Sequence, residues 1–488
     1  MVNSLAIGYQ ALAIVIVNYN CAVTSYVLYI RNNVEYISSD NYVLATLSLL
    51  LGLFLGQLIF GIMGDILGRK ASLVGSTMFL LAGAVLSLFT GLFPVFSTNT
   101  TFMAEFSSFR FLLGVGAGGL YPLIATISRE SSQEGMANTN IALIYGPYGS
   151  IGLIFAPLIT YLVLLVTEID DDLKWRIILA IGVTPCLFLS FVIIDTDITE
   201  IESKSMRHYK ESEHNVLKKF RKSYLILREE VTLLFEQRQL RMNFFGVSAS
   251  WFASDFLHYG NLLMQLKLVQ SLIKRYDHDD DYIFTIQTLT LLGMLFATLF
   301  WIGGLFSIIG LRAVSALALQ LQGFALSACA YLVVTLSKAL LPAKMWFIVV
   351  FFYSLTYFFN GLGPAPTTFF MPSLLFPRKI RTTANGLAAG AGKIGSIVGI
   401  VIAGYAGLDI STLMAVFASV AIFGCGSTLL LIREHFSMDS VPQGDGKDLI
   451  ESPIAAWLEK RRTEGASSFE KKRLLFGDDN LDVGQIRL

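Results

Sequence analysis

The sequence of 488 residues is unusually apolar for its length. Hydrophobic residues make up 54% of it, charged residues 15%, and the mean hydropathy is +0.62, whereas an average soluble domain carries about 25% charged residues. This composition excludes a mostly disordered chain, and 36 Lys and Arg against 36 Asp and Glu leave no net charge for binding nucleic acid. We therefore expect a protein embedded in the lipid bilayer.

Twelve stretches of the sequence are long enough to cross a membrane. A transmembrane helix needs about 20 apolar residues, and ten stretches of about this length or longer contain no Asp, Glu, Lys or Arg. They are residues 1–30, 41–64, 71–104, 111–128, 135–167, 177–194, 282–311, 313–337, 345–377 and 410–432. Two more each contain one internal charge, Asp255 in 242–266 and Lys393 in 382–408. Gly and Pro recur in them and the alternation of a membrane β-strand is absent, which favours helices.

The twelve predicted spans divide the chain into two halves. We expect six helices in residues 1–197 and six in residues 242–432, joined by a cytoplasmic central loop over residues 198–241 that contains an amphipathic helix. The apolar positions of that helix are Val216, Leu217, Phe220, Tyr224, Leu227, Val231 and Leu234. Residues 433–488 are polar and of mixed charge, which predicts a largely disordered cytoplasmic tail.

The charges outside the spans indicate how the chain is oriented. The short loops on the two sides carry similar numbers of Lys and Arg and do not decide the question. The central loop holds ten Lys and Arg between Lys204 and Arg241, which favours cytoplasmic N- and C-termini and places the sequon at Asn99 outside. We expect a multi-pass protein of the plasma membrane, with an organelle membrane as the alternative, that works as a monomer.

The sequence contains no motif of an enzyme, a metal site or a cofactor site. Its glycine runs lie in the predicted spans and lack the lysine of a phosphate-binding loop, which argues against ATP as the energy source. The four cysteines each lie in a predicted span without metal-ligand spacing: Cys21, Cys186, Cys329 and Cys425. We therefore expect no catalysis, no metal and no cofactor.

Charged side chains within the spans are candidates for function, because a charge in lipid is costly. Asp255 shares one helical face with Trp251 and Tyr259, four residues to either side, and it could take up and release a proton. Lys393 lies in the middle of its span, where it could meet an anionic substrate or Asp255. A purely structural ion pair between Asp255 and Lys393 is the alternative.

Three uncharged residues are further candidates for substrate contact. Tyr121 follows a glycine run, which lets neighbouring helices approach closely. Asn360 precedes a helix-breaking cluster of Gly361, Gly363 and Pro364, where loosened backbone can face a cavity. Asn20 offers its side-chain amide in the first span.

The two halves also contain matching sequence segments. The stretch Gly61–Lys70 after the second span has a counterpart at residues 303–312 after the eighth, and Gly149-Ser150-Ile151 recurs as Gly395-Ser396-Ile397. Both offsets are close to half the length of the chain. A parallel repeat of six-helix halves is a common plan of transporters, in which the substrate site lies near the bilayer midplane between the halves.

The stretch Gly61–Lys70, of the form G-x-x-x-D-x-x-G-R-K, resembles the signature loop of the major facilitator superfamily. The resemblance implies that Asp65 and Arg69 belong to a gate latch at the inner membrane surface. It also implies a gating or proton-transfer role for Arg110, which begins an R-x-x-x-G-x-G pattern. For Arg110, a side chain that reaches to the membrane edge is the alternative.

Within the superfamily, the chain is similar to the phosphate:proton symporters at residues 110–130, 251–261, 359–369 and 376–395. This resemblance implies an all-α membrane protein of the major facilitator fold, with twelve transmembrane helices in two six-helix halves. It implies proton-coupled symport of inorganic phosphate or another small anion, with Asp255 as the proton-coupling residue and without a cofactor.

Several positions depart from the symporter pattern. The symporters carry D-x-Y-D in the first span, where this chain has Val17 and Asn20, and an Asp in the fourth span, where this chain has Leu120. The two membrane carboxylates thought to handle substrate and proton, at the positions of Asn20 and Leu120, are therefore missing, and the coupling chemistry does not transfer intact. The alternatives are a facilitative or cation-coupled carrier of an organic solute, such as a sugar or an organic ion, and a transport-inactive sensor or scaffold.

Overall fold

The computed structural model describes residues 2–34, 37–92, 99–133, 135–195, 216–266, 268–269, 282–340 and 345–433. All of them belong to one compact unit, Met1–Phe436. The predicted tail lies outside the described residues apart from its first residue, Arg433, and so does the beginning of the predicted central loop, from 198 to 215.

The described residues of the first half form seven α-helices and one π-helical turn. The α-helices are α1 (Val2–Val34), α2 (Ser39–Ile66), α3 (Arg69–Leu88), α4 (Asn99–Ser131), α5 (Ala137–Leu143), α6 (Gly149–Leu165) and α7 (Asp171–Asp195). The π-helical turn Ile144–Tyr148 joins α5 to α6 and contains Pro147, which cannot donate a backbone hydrogen bond. The fifth predicted span is therefore one helical run with a local widening.

The second half follows the linker helix α8 (Val216–Glu236). Its helices are α9 (Arg238–Leu262), α10 (Tyr282–Ala313), α11 (Ala316–Leu340), α12 (Trp346–Leu362), α13 (Pro364–Leu375), α14 (Arg381–Tyr405) and α15 (Ile410–Leu431). Helix α9 begins four residues before the predicted boundary at 242, because charged residues at a helix end outside lipid do not interrupt its backbone hydrogen bonds. The tenth predicted span breaks at Gly363, between α12 and α13, where Pro364 begins a new helix.

Eleven runs of described helix are long and apolar enough to cross a membrane, and α9 is not one of them. Its polar side chains lower its hydropathy, yet the structure buries them inside the bundle: Ser250, Ser254, Asp255, His258 and Asn261. Helix α9 packs against α14 and α15. Neighbouring helices therefore shield the polar face of α9 from lipid, as intramembrane polar residues require.

The linker helix α8 is amphipathic, as its sequence pattern predicts. Leu227 and Leu234 are buried, whereas Tyr224, which was predicted on the apolar face, is half exposed. Helix α8 packs against α2 and α9. The ammonium of Lys379 lies 2.7 Å from a carboxylate oxygen of Glu230 and so connects α8 to the segment before α14.

Contacts between the halves run along two pairs of helices, α2 with α14 and α6 with α10. Glycine permits the closest approach: a Cβ atom built at Gly386 of α14 would lie 2.4 Å from the carbonyl oxygen of Gln57 of α2. Within the second half, a Cβ atom at Gly395 of α14 would lie 2.1 Å from the carbonyl oxygen of Phe252 of α9. The backbones of α9 and α14 therefore touch directly beside Asp255 and Lys393.

The close contact at Gly395 yields a stability prediction. We expect Gly395→Ala to lower the free energy of unfolding by about 1–3 kcal/mol, because α14 would have to move away from α9. Gly426→Ala is the matched control, since no atom lies within 4 Å of a Cβ atom built at Gly426. Thermal unfolding of the purified variants in detergent measures both, and equal melting temperatures would contradict the packing described for α9 and α14.

Candidate functional site

A buried ion pair joins α9 to α14 in the middle of the second half. The ammonium Nζ of Lys393 donates to Oδ2 of Asp255 at 2.6 Å, and each side chain is 3% exposed. A Cβ atom at Gly392 would lie 2.9 Å from that same oxygen, so the glycine before Lys393 makes room for the pair. The same Cβ atom would lie 2.6 Å from Cδ1 of Trp251, so the indole is next to the carboxylate of Asp255.

Two tyrosines surround the ammonium group of Lys393 and bring the two halves together. Its Nζ lies 3.9 Å from the ring centroid of Tyr259, on α9, and 5.4 Å from that of Tyr121, on α4. The hydroxyl oxygens of Tyr121 and Tyr259 are 3.2 Å apart. The cation therefore faces aromatic π-electrons, which attract it, beside two hydroxyl groups that can donate hydrogen bonds to an anion.

Two aromatic side chains that the sequence analysis did not select, Tyr145 and Phe369, pack beside Tyr121 and Trp251. We call these four side chains the aromatic wall. The rings of Tyr145 and Phe369 stack with their centroids 4.4 Å apart, and the Phe369 ring lies 6.0 Å from Tyr121 and 6.4 Å from Trp251. Phe369 is the last residue of the segment 359–369 that is similar to the phosphate:proton symporters. Aromatic residues are too frequent in this chain for that position alone to mark Phe369 as a site residue.

Asn18, which the sequence analysis did not select, contacts the aromatic wall. Its Oδ1 accepts a hydrogen bond from the Tyr121 hydroxyl at 3.1 Å, and its Nδ2 donates to the carbonyl oxygen of Gly149 at 3.0 Å. The amide nitrogen of the predicted residue Asn20 instead donates to the carbonyl oxygen of Ile16 at 3.0 Å and lies toward α7, 3.4 Å from the carbonyl oxygen of Gly182 and 3.8 Å from Cys186 Sγ. Residues two apart on a helix face different directions, and the structure places Asn18 at the cluster.

Asn360 contacts His258, which lines a small cavity between the halves. Its Nδ2 lies 3.5 Å from Nδ1 of His258, and its Oδ1 has no hydrogen-bond partner among the described residues. The cavity is lined by residues of α1, α6, α9, α10 and α12 and by Gln265, and its polar side chains are Tyr26, His258, Gln265 and Tyr357. An amide with a free acceptor beside an enclosed space is suited to hold a polar molecule.

Arg110 is fully buried, so it does not reach to the membrane edge. Its Nη1 donates to the carbonyl oxygen of Asn20 at 3.1 Å, and its Cζ lies 5.0 Å from the ring centroid of Phe106. Twenty residues of α4 separate it from Glu130, a helical rise of about 30 Å. Arg110 therefore lies in the bundle, remote from the other two predicted gating residues, Asp65 and Arg69.

Those two residues belong to a cluster of charges that we call the latch: Asp65, Arg69, Glu130, Arg378 and Arg381. The guanidinium of Arg69 lies 2.9 Å from Asp65 Oδ1 and 3.0 Å from Glu130 Oε1. The second oxygen of Asp65 accepts the backbone N–H of Thr383, in the first turn of α14, at 2.7 Å. A carboxylate of the first half thus caps a helix of the second.

Glu130 is the shared acid of the latch, a role that the sequence analysis did not assign. Its Oε1 lies 3.6 Å from Nε of Arg378 and 3.9 Å from Nη1 of Arg381, in addition to its bond with Arg69. Arg381 begins α14, and twelve residues, or a rise of about 18 Å, separate it from Lys393. The latch therefore closes one end of the interface between the halves without touching the central ion pair.

Comparison with protein families and curated proteins gives consistent matches. A family model described as sugar (and other) transporter matches residues 4–437. The probable inorganic phosphate transporter 1-9 of Arabidopsis thaliana is 28% identical over 406 residues, 74% of each chain. The inorganic phosphate transporter PT2 of Toxoplasma gondii is 29% identical over 80% of this chain and 64% of its own. The low affinity inorganic phosphate transporter 4 of Medicago truncatula is 27% identical over 82% of each chain.

Solved structures share the fold. The major facilitator superfamily proton:xylose symporter XylE, bound to 6-bromo-6-deoxy-D-glucose, matches with a TM-score of 0.67 and 15% identity, over 88% of this chain and 96% of that one. A partially occluded inward-open conformation of XylE from E. coli matches with a TM-score of 0.64 and 13% identity, over 88% and 98% of the two chains. These matches confirm the predicted twelve-helix fold of two halves, with α9 as the least apolar transmembrane helix.

The central ion pair yields a test by double substitution. We expect Lys393→Gln or Asp255→Asn alone to lower the free energy of unfolding by about 3–5 kcal/mol, because each leaves one buried charge unpaired. The double variant should recover most of this loss, since it buries no charge. Thermal or chemical unfolding of the four proteins in detergent measures the coupling, and strictly additive losses would show that the two side chains do not interact.

The latch yields a prediction on the rate of transport. We expect Asp65→Asn to slow transport about tenfold, equivalent to ~1.4 kcal/mol, while substrate affinity stays nearly unchanged, because the latch is about 18 Å along α14 from Lys393. Glu105→Gln is the control, since Glu105 accepts the Gly91 N–H at 3.0 Å at the opposite end of α4 from Glu130. Flux into vesicles and equilibrium binding in detergent separate the two effects. A large loss of affinity in folded Asp65→Asn would refute this role.

Proposed function

The chain belongs to the sugar (and other) transporter family of the major facilitator superfamily, and on that premise we propose that it moves inorganic phosphate, or another small anion, together with protons. It is a secondary transporter that works by alternating access. The observation that carries the proposal is the buried ammonium of Lys393, which is paired with Asp255 and faces the rings of Tyr121 and Tyr259. A charged side chain within a membrane raises the free energy of the folded protein, and such residues are therefore typically functional.

Lys393 supplies the positive charge that attracts the anion, and Asp255 competes with the anion for it. When Asp255 takes up a proton, its carboxyl group becomes neutral and no longer needs the ammonium as a partner. A phosphate oxygen can then occupy the position of Asp255 Oδ2, 2.6 Å from Nζ. Release of the proton restores the ion pair and expels the anion. Transport of the anion is therefore coupled to transport of the proton.

Hydrogen-bond donors around Lys393 fit the oxygens of phosphate. The hydroxyls of Tyr121 and Tyr259 meet beside the ammonium, and Trp251 adds an indole N–H close to Asp255. The side-chain amide of Asn360, next to His258, offers a further hydrogen-bond donor to the substrate. We assign substrate contact to Tyr121, Trp251, Tyr259, Asn360 and Lys393, and proton coupling to Asp255. Asn20 remains a predicted contact whose amide faces α7 in this structure.

The latch and the cavity lie at the two ends of the path by which the substrate would reach Lys393. The latch closes one end through charges of both halves, which we take as residues 1–197 and 242–432. The cavity lies on the other side of the ion pair, because His258 and Leu262 follow Asp255 along α9 away from the end where Lys379 contacts α8. Opening the latch while the cavity side closes would expose Lys393 to the opposite face of the membrane.

The basic residues of the latch end support an orientation. Arg69, Arg378, Lys379 and Arg381 lie at this end together with α8, and Lys and Arg are enriched on the cytoplasmic side of membrane proteins. We therefore place the latch and both termini in the cytoplasm, and propose the plasma membrane as the location and a monomer as the working unit.

The names of the similar proteins support phosphate as the cargo, because the plant and Toxoplasma relatives are all inorganic phosphate transporters. A carrier of an organic solute is the second candidate. It is favoured by one observation: the residues that line the cavity are uncharged hydrogen-bonding and apolar groups. Such a lining suits a neutral hydroxylated molecule at least as well as an ion.

Uptake of radiolabelled phosphate into vesicles, with and without an inward proton gradient, tests the proposal. We expect the gradient to drive accumulation by the wild type, and Asp255→Asn to abolish accumulation while exchange of phosphate across the membrane survives. Asp409→Asn is the control, because Asp409 is an exposed helix cap at the start of α15. Full proton-driven accumulation by Asp255→Asn would remove Asp255 from the coupling mechanism. Competition by a neutral sugar or an organic cation, but not by small anions, would replace phosphate by an organic solute.

A further inference from the structure

Arg110 is a buried cation whose charge is not balanced in the described part of the protein. Its side chain is 0% exposed, and its one hydrogen bond is to a neutral backbone oxygen, that of Asn20. The Nε–H has no acceptor. The other buried cations of the bundle differ, since Lys393 is paired with Asp255 and Arg69 with Asp65 and Glu130.

Among the described residues, the titratable groups that interact with the guanidinium include no carboxylate. Those that interact with it electrostatically are Cys21, Tyr19 and Cys186, all neutral as thiols or phenol. The Tyr19 hydroxyl already donates to the carbonyl oxygen of Ile178 at 2.8 Å. An isolated charge in a low-dielectric interior is costly, and cation–π attraction to Phe106 offsets only a small part of that cost.

We propose that Arg110 binds a small monovalent inorganic anion, such as chloride or dihydrogenphosphate, between α1, α4 and α7. The unused N–H groups of the guanidinium donate to the anion. The Asn20 amide keeps one N–H on the carbonyl oxygen of Ile16 at 3.0 Å, and its other N–H, whose contacts with Gly182 and Cys186 are long at 3.4 and 3.8 Å, donates to the anion as well. One negative charge balances Arg110, because no carboxylate remains to do so. The site is independent of phosphate being the cargo.

This anion site is distinct from the ion pair at Lys393. Arg110 and Tyr121, whose ring faces Lys393, are eleven residues apart on α4, a helical rise of about 16 Å. Lys393 has its own counter-charge in Asp255. An anion at Arg110 can thus stay bound while Lys393 and Asp255 exchange partners.

The test is the stability of the full-length protein in different salts at constant ionic strength. We expect chloride, compared with the large anion gluconate, to raise the melting temperature by about 2–4 °C in a saturable manner. Arg110→Lys should keep this response, and Arg110→Gln should lose it. Asn20→Asp should also lose it and should be more stable than the wild type in gluconate, because Arg110 Nη1 bonds to the backbone oxygen of residue 20 at 3.1 Å and a carboxylate on that residue would lie near the guanidinium.

Asn261→Asp is the matched control, since Asn261 is a buried amide of α9 bonded to Tyr331 and Tyr353, and this variant should still respond to chloride. Repeating the series with phosphate in Lys393→Gln shows which site binds phosphate. If phosphate still raises the melting temperature of this variant, it binds at Arg110, and if the effect is lost, it binds at the transport site. Wild-type protein that melts at the same temperature in chloride, phosphate and gluconate would overturn the proposal. A response to chloride that persists in Asn20→Asp or Arg110→Gln would overturn it too, and neither result would affect the uptake test.

Discussion

The ion pair between Lys393 and Asp255 is the interaction on which the rest of the structure depends. Removing two charges from water costs several kcal/mol per ion, and only close geometry with additional hydrogen bonds recovers that cost. The fold provides the close geometry: Gly392 and Gly395 bring α14 against α9, the indole of Trp251 lies next to the carboxylate, and the Tyr259 ring covers the ammonium. The low hydropathy of α9 follows from this arrangement, because its polar face serves the site.

The latch and the central site share one helix. Asp65 of the first half caps the beginning of α14, and Lys393 lies in the middle of the same helix. A movement of α14 relative to α2 therefore changes both the latch and the position of the ammonium. Since Gly386 allows α14 to touch the backbone of α2, the two halves have a tight contact about which they can tilt. Helix α14 can therefore link protonation of Asp255 directly to opening of the latch at Asp65.

The sequence predicted the membrane spans and the common face of Asp255, Trp251 and Tyr259, because both depend on local patterns. Apolar length identifies a span, and the four-residue spacing around Asp255 places its side chain with those of Trp251 and Tyr259 on a common face. The contacts of Asn18, Glu130 and Phe369 could not be predicted in this way. Each depends on which helix packs against which, and one position along a helix changes the direction of a side chain by about 100°. Asn20 shows the consequence, since the family pattern points to it and the structure directs its amide toward α7.

The central claim is that phosphate and the carboxylate of Asp255 compete for Lys393, so that binding of the anion is accompanied by protonation of the acid. Infrared difference spectroscopy of the reconstituted protein, recorded on addition of phosphate, tests this directly. The account predicts a new carbonyl band of a protonated carboxyl group that saturates with phosphate and is absent in Asp255→Asn. Phosphate binding without such a band, or with the same band in Asp255→Asn, would contradict it.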